Sequence, residues 1–166
     1  ILMNNWEASV PAILFRWYSG MRGGNALANI IFGAVNPSGK LPFTIMQKEA
    51  DYPSFDSRSK RVEYGYYHGY TLADKKQLKP AYPFGFGLHY SEIVFDSFRI
   101  ESSTINLQDS LNINVFVRNK TAVSGAQVCQ AYVGFKHSTV DRPIKLLRAF
   151  KKVKLAAYEQ KTIHLT

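Results

Sequence analysis

Twelve acidic side chains, four histidines, one cysteine and a run of tyrosines are the residues of this 166-residue chain that could do chemistry. Acid–base work needs two carboxyl groups held against one reacting bond, and the closest set in sequence is Glu63 with Asp56 or Asp51. Arg58, Lys60 and Arg61 stand among them, so solvated or ion-paired loop acids are the commoner meaning of the same pattern. Glu7, beside Trp6, is a further acid whose ordinary role is that of an exposed loop residue. His68, His89, His137 and His164 contain no i, i+4 pair and have no cysteine at ligand spacing, so the pattern argues against a metal site. Ser19 and Ser38 lie among glycines but outside a G-x-S-x-G nucleophile elbow, and turn chemistry accounts for both. A lone Cys129 excludes an intramolecular disulfide, and its strand-like surroundings predict a buried, inert thiol.

The aromatic residues are the best candidates for direct contact with a ligand. Tyr64, Tyr66, Tyr67 and Tyr70, followed by Tyr82, Phe84 and Phe86, offer flat faces that stack on sugar rings and hydroxyls that bond to them. The competing use is interdomain packing, in which a tyrosine buries its ring and leaves the hydroxyl at an edge. Sugar contact or domain contact is therefore the expectation at Tyr64, Tyr66, Tyr67 and Tyr70.

The elements that must position these residues follow from periodicity and punctuation. From Trp17 to Thr44 the chain reads as turn, helix, turn, strand. Gly20, Gly23 and Gly24 make a turn, Asn25 opens a run with Ala26, Leu27, Ile30 and Ile31 at helical spacing, and Gly33 ends it. Asn36-Pro37-Ser38-Gly39 predicts a tight turn, and Lys40 to Ile45 an extended segment. The turn at Gly20 to Asn25 could receive an anion at the helix N-terminus, although close packing is the more frequent reason for such glycines. Before it, residues 1–14 read as a strand end and a loop leading into a short buried strand at Ala12 to Phe15. Residues 51–83 show little periodicity and predict a long, ordered connection.

After Tyr90 the pattern changes to alternation. Phe95, Phe98 and Ile100 mark one strand; Leu111, Ile113, Val115 and Val117 mark a second, with Asn112, Asn114 and Phe116 on its other face. Cys129, Ala131 and Val133 continue the pattern, and Leu146 to Leu155 and Thr162 to Thr166 add two strands around a turn at Ala157 to Gln160. This is β-sandwich material. A hydrophobic content of 46% with 14% aromatics supports a packed core, and no apolar run reaches the roughly 18 residues of a membrane span. No signal-peptide order opens the chain, and a start at Ile1 rather than methionine predicts an internal or processed piece. The net charge of +9 is scattered over several loops and the segment from Lys145 to Lys154, without a recognition helix or phosphate loop, so nucleic acid is not an expected partner and a solvated basic face is.

Three blocks carry a family resemblance. Pro11 to Leu14 with Trp17 to Thr44, then Tyr64 to Tyr70 with Pro83 to Ile93, and finally Gly125 to Val133 with Arg142 to Val153 stand in the order found at the C-terminus of family 3 glycoside hydrolases, the β-glucosidases and β-xylosidases. The chain resembles that family over nearly its whole length. It departs at Ser19 and Arg22, where the family's turn has proline and glutamate, and at His89, where serine is usual. A cation at a helix N-terminus is disfavoured by about 0.3 to 1 kcal/mol when exposed, so Arg22 is expected to seek a carboxylate elsewhere.

The resemblance implies an α+β mixed fold. Residues 1–50 would be the C-terminal part of an α/β sandwich domain, 51–90 a Tyr/Gly-rich connection, and 91–166 an immunoglobulin-like, fibronectin type III-like antiparallel β-sandwich, cut short. It also implies a retaining parent enzyme that hydrolyses terminal β-D-glucosyl or xylosyl residues with two carboxyl groups about 5 Å apart, without metal or organic cofactor. In the family the nucleophile is an aspartate of an upstream barrel domain and the acid/base also lies upstream, so no catalytic residue is carried over to this chain. The implied partners are that barrel and a β-linked oligosaccharide or glycoside, the implied parent is periplasmic or secreted, and exposed strand edges predict self-association. The alternative is a noncatalytic binding or structural module acting without a barrel.

Overall fold

The computed structural model describes residues 2–106 and 108–166, which gather into two compact units. The expected strand end at residue 1 lies outside the described residues. The first unit takes the chain up to Trp17, Lys40–Phe86 and Val133–Leu146; the second takes Tyr18–Gly39, Gly87–Tyr132 and Leu147–Thr166.

The second unit holds helix α1 (Gly23–Ile31) and nearly all of five strands: β1 (Ile93–Ile100), β2 (Ile113–Asn119), β3 (Gly125–Val133), β4 (Leu146–Leu155) and β5 (Gln160–Leu165). β1, β2 and β5 form one antiparallel sheet in that order, and β3 and β4 form the other. Ile93, Val117, Cys129, Leu155, Ile163 and Leu165 bury against one another, so all five strands, and hence both sheets, contribute to one core. The chain is thus α+β, with few helices and a fibronectin type III-like pair of antiparallel sheets.

The alternation read in β2 holds, with Ile113 and Val115 packed against the core and Val117 inside it. The uneven spacing of Phe95, Phe98 and Ile100 has a cause. These residues pair with Val117, Val115 and Ile113, and an irregularity between Phe95 and Ser97 absorbs the extra residue, so all three stay on the core-facing side. They are nevertheless exposed, Phe98 to 68%, because β1 ends the sheet and only Ile93 reaches the buried cluster.

Cys129 is buried in this core, and burial pushes its thiol up to about 11. A thiol reacts as the thiolate, so Cys129 should resist iodoacetamide at pH 8 in the folded chain and become alkylated at least roughly a hundredfold faster in 8 M urea. Equal rates by mass spectrometry in the two conditions would refute the burial.

α1 starts after a turn in which the Gly23 N–H donates to the Gly20 carbonyl at 3.1 Å, and it stops at Gly33, whose φ of +77° favours glycine. Arg22 occupies the N-cap position, and among the described residues it makes no ion pair, so the carboxylate expected for it is not found.

The turn expected at Asn36 to Gly39 does not form; the reversal is made earlier, at Phe32 and Gly33, and Gly39 keeps an ordinary φ. Asn36 is instead a clamp. Its amide donates to the Ser91 hydroxyl and, at 2.8 Å, to the Ser124 carbonyl, while its oxygen accepts the Tyr90 N–H at 2.7 Å. Gly125 is glycine for the same reason, since a Cβ there would stand 2.9 Å from Asn36 Nδ2 and 3.2 Å from Ile93 Cδ1.

In the first unit the extended segment expected from Lys40 to Ile45 is interrupted by a bend at Pro42 and Phe43, and only its two ends pair with the segment from Tyr82 to Phe86. Leu41 and Gly85 bond at 2.8 Å, Leu41 bonds Phe86 at 2.8 Å, and Ile45 and Tyr82 exchange bonds of 2.8 and 3.1 Å. Ile45 and Met46 are buried beside this ribbon. The strand expected at Ala12 to Phe15 is absent. Those residues adopt no regular structure and Ile13 and Leu14 are exposed, because a strand persists only in a ladder and no described segment pairs with this one.

The connection 51–83 contains a helix that periodicity did not announce, α2 (Gly69–Lys75). At seven residues it is too short to display a period, but its ends are well closed. Thr71 exchanges bonds with the His68 backbone at its start. At its end Leu78 N–H reaches Ala73 O at 2.8 Å and Gln77 N–H reaches Asp74 O at 3.2 Å, with Gln77 at positive φ, which is the Schellman arrangement. Its residues Thr71, Leu72 and Ala73 are buried.

Candidate functional site

The four tyrosines of the 64–70 segment divide by environment. Tyr64 and Tyr66 each expose 65% of their surface. Tyr67 turns inward, with Tyr66 edge-on at 5.0 Å, and Tyr70 lies against Phe84 at 5.3 Å. The aromatic ribbon continues with Tyr82 against Phe86 at 5.2 Å, and the Tyr82 hydroxyl is hydrogen-bonded to Glu7, which together with burial raises its pKa.

Tyr67 is the centre of the best-defined polar cluster in the first unit. Its hydroxyl donates to Asp141 Oδ1 at 2.6 Å, Lys75 Nζ donates to Asp141 Oδ2 at 2.8 Å, and the same ammonium stands 3.7 Å from the centre of the Tyr67 ring. α2 supplies the lysine and the excursion between β3 and β4 supplies the aspartate. A second pair, Lys145 to Asp74 at 3.3 Å, ties the same two segments. The cluster is thus a staple that holds the β3–β4 excursion to α2. Sequence reasoning missed Asp141, and the only nearby signal was its place directly before the Arg142 to Val153 block.

Charge linkage bounds the staple. The bond from Lys75, then that from Tyr67, holds the Asp141 carboxyl below its ordinary value of 3.8, so its contribution is complete above that value and lost as pH falls through the depressed one. The bond to Asp141 raises Lys75 above 10.5, so its contribution is complete below that value and lost as pH rises through the raised one. Burial and the bond to Asp141 raise Tyr67 as well, so its hydroxyl stays a donor to higher pH than a free phenol does. Asp141→Asn should therefore speed amide exchange in residues 134–145 several-fold at pH 7, and the difference between the two proteins should shrink as pH falls through the depressed value of Asp141. Equal exchange in the two proteins at pH 7 would refute the staple.

The acids considered for acid–base work are each engaged locally. Asp51 accepts the Lys48 N–H at 3.2 Å, Asp56 the Arg58 N–H at 2.9 Å, and Glu63 faces Arg61 at 3.8 Å with both side chains exposed. The first two are capping and turn contacts, and the third is an exposed ion pair. His68 meets the Gly65 carbonyl at 3.3 Å, His89 the Ser91 carbonyl and His164 the Asn114 side chain. Among the described residues no three His, Cys, Asp or Glu side chains gather as a metal would need. An open cavity of about 410 Å³ is lined by Phe135, Lys136, His137, Ser138, Thr139 and Arg142, and the four tyrosines are not part of it. Within that lining Arg142 lies over the Phe135 ring at 4.4 Å. No helix among the described residues is long and apolar enough to cross a membrane.

The fold and its sequence blocks define a class of protein. The description "Glycosyl hydrolase family 3 C-terminal domain" matches residues 1–90, and "Fibronectin type III-like domain" matches residues 127–166. The chain belongs to glycoside hydrolase family 3. It is 36% identical to beta-glucosidase BoGH3A of Bacteroides ovatus, over 97% of this chain and 23% of that protein. It is also 36% identical to thermostable beta-glucosidase B of Acetivibrio thermocellus, over 97% of this chain and 22% of that one. The structure of beta-glucosidase 3B from Thermotoga neapolitana in complex with glucose superposes with a TM-score of 0.89 at 28% identity, over 99% of this chain and 24% of that one. The chain thus corresponds to a C-terminal portion and spans under a quarter of the length of these relatives.

Proposed function

We propose that these residues form the C-terminal scaffold of a retaining β-glucosidase-like enzyme that releases terminal β-D-glucosyl or xylosyl residues. The observation that carries this reading is the match to β-glucosidases along 97% of the chain. Residues 1–50 act as the C-terminal part of the α/β sandwich domain, 51–90 as the connection, and 91–166 as the fibronectin type III-like module. The two carboxyl groups of the reaction belong to the upstream domains, whose surfaces this chain helps to hold in place. The exposed Tyr64 and Tyr66 rings meet either those domains or the sugar, and Tyr67 and Tyr70 fix the segment from beneath. In isolation, the uncovered rings of Trp17, Tyr18, Phe32 and Phe98 support self-association.

The test compares two proteins: the product of the complete reading frame that contains these residues, and the 166-residue chain alone. Each is assayed with p-nitrophenyl β-D-glucoside and β-D-xyloside. The complete product should turn over at least one of them with retention of anomeric configuration, read by NMR, and the chain alone should not. An inert complete product that still binds a β-glucan would replace this reading by the noncatalytic module.

A further inference from the structure

We propose that the outer face of β4 is a binding strip for acidic polysaccharide, that is, for a glycan chain bearing carboxylate or sulfate groups. Ala149, Val153 and Leu155 turn toward the core, so Arg148, Phe150, Lys152 and Lys154 share the opposite face, where all four are exposed. Neither β4 nor its partner β3 contains an acid. Elsewhere in the same unit Arg118, Lys120 and Lys161 are each paired with a carboxylate and Arg22 and Arg99 stand singly without an ion pair, whereas Arg148, Lys152 and Lys154 bring three cations without an ion pair, among the described residues, onto one face. Charge complementarity therefore calls for an anion from outside.

The geometry selects its kind. Alternate residues of a strand stand about 7 Å apart, so the face is a straight row of about 20 Å from Arg148 to Lys154, suited to an extended chain with charges at intervals. Arg148 supplies the planar fork that matches a carboxylate or sulfate, and the Phe150 ring, 68% exposed, supplies an apolar surface for a sugar face. Single-stranded nucleic acid is bound on several stacked aromatics, and the row from Arg148 to Lys154 holds one exposed ring, Phe150. Lysines on a terminal strand also discourage edge pairing, but that purpose is not served by the exposed Phe150 ring that stands in the same row. The choice of a polysaccharide over other polyanions rests on the glycosidase reading above.

The experiment titrates polygalacturonate into the 166-residue chain by calorimetry at two salt concentrations. Binding should weaken with salt, and the R148Q/K152Q/K154Q variant should lose roughly tenfold or more in affinity. The F150A variant should lose affinity while keeping the salt dependence. The K60Q/K76Q/K79Q variant, with the same charge change on exposed residues of the other unit, should bind like the parent chain. Equal loss in the two triple variants would reduce the effect to net charge and overturn the proposal. Tighter binding of oligo-dT or of phosphatidylglycerol vesicles than of polygalacturonate would overturn it too, as would no binding. Turnover of an aryl glucoside by the complete product is read separately, so loss of the strip and loss of the hydrolytic reading are distinguishable.

Discussion

Replacing Asn119 by alanine should destabilise the chain by about 3 kcal/mol, seen as a lower urea midpoint with an unchanged slope. The side chain is 1% exposed at the end of β2 and meets four partners. Its amide donates to Val123 O at 2.8 Å and to Ala156 O at 2.9 Å; its oxygen accepts from Thr121 N at 3.1 Å and Thr121 Oγ1 at 2.8 Å. One residue thus ties the turn between β2 and β3 to the turn between β4 and β5, which also meet through the bond from Asn119 N to Glu159 O at 2.9 Å. Each net bond contributes about 1 kcal/mol, and the truncated site leaves two carbonyls, an N–H and a hydroxyl seeking partners that water reaches only in part. Asn119→Asp should be at least as harmful, because it removes both donors and places a carboxylate against two carbonyl oxygens. A loss below about 1 kcal/mol in the alanine variant would mean that the turns stand independently.

Leu155→Ala should cost a similar amount, about 3 kcal/mol, by a different route. Leu155 is 1% exposed and closes β4 inside the cluster that also holds Val117, Cys129, Ile163 and Leu165. Truncation forfeits the transfer of the buried methyl groups and leaves a cavity between strands that backbone bonds keep from collapsing. The neighbour Lys154, on the outer face, is the internal control, and Lys154→Ala should change the midpoint by less than about 0.5 kcal/mol equivalent. Comparable losses at the two positions would contradict the assignment of faces along β4, and with it the basis for reading Arg148, Phe150, Lys152 and Lys154 as one row.

These expectations rest on features of unequal legibility. The alternation of Ile113, Val115 and Val117 could be read directly, because a strand with one buried face writes its period into the residue types. Even the uneven Phe95, Phe98, Ile100 spacing carried information, since an extra residue in a strand has to be absorbed by a bulge. α2 was not legible. Seven residues give too few turns for a period, and what closes its end is a backbone arrangement at Gln77 and Leu78 that many residue types permit. The tyrosines at 64, 66, 67 and 70 could be named as a group, but not divided into exposed and inward-facing rings, because that depends on Lys75 and Asp141.

Asn36 shows where the division falls. Asparagine, proline, serine and glycine in succession are the residues of a tight turn, and local propensity can say no more than that. What Asn36 does is decided by Ser91 and Ser124, which stand 55 and 88 positions away. Residue types and their order determined by themselves the family, the positions of the five strands, the burial of Cys129 and the basic character of β4, because each is expressed in short-range pattern. Only the tertiary structure decided the Asn36 clamp, the four bonds of Asn119, the staple of Tyr67 and Lys75 on Asp141, and which apolar side chains stay uncovered. Those depend on groups brought together from distant parts of the chain, and hydrogen bonding and burial select such partners by distance in space rather than in sequence.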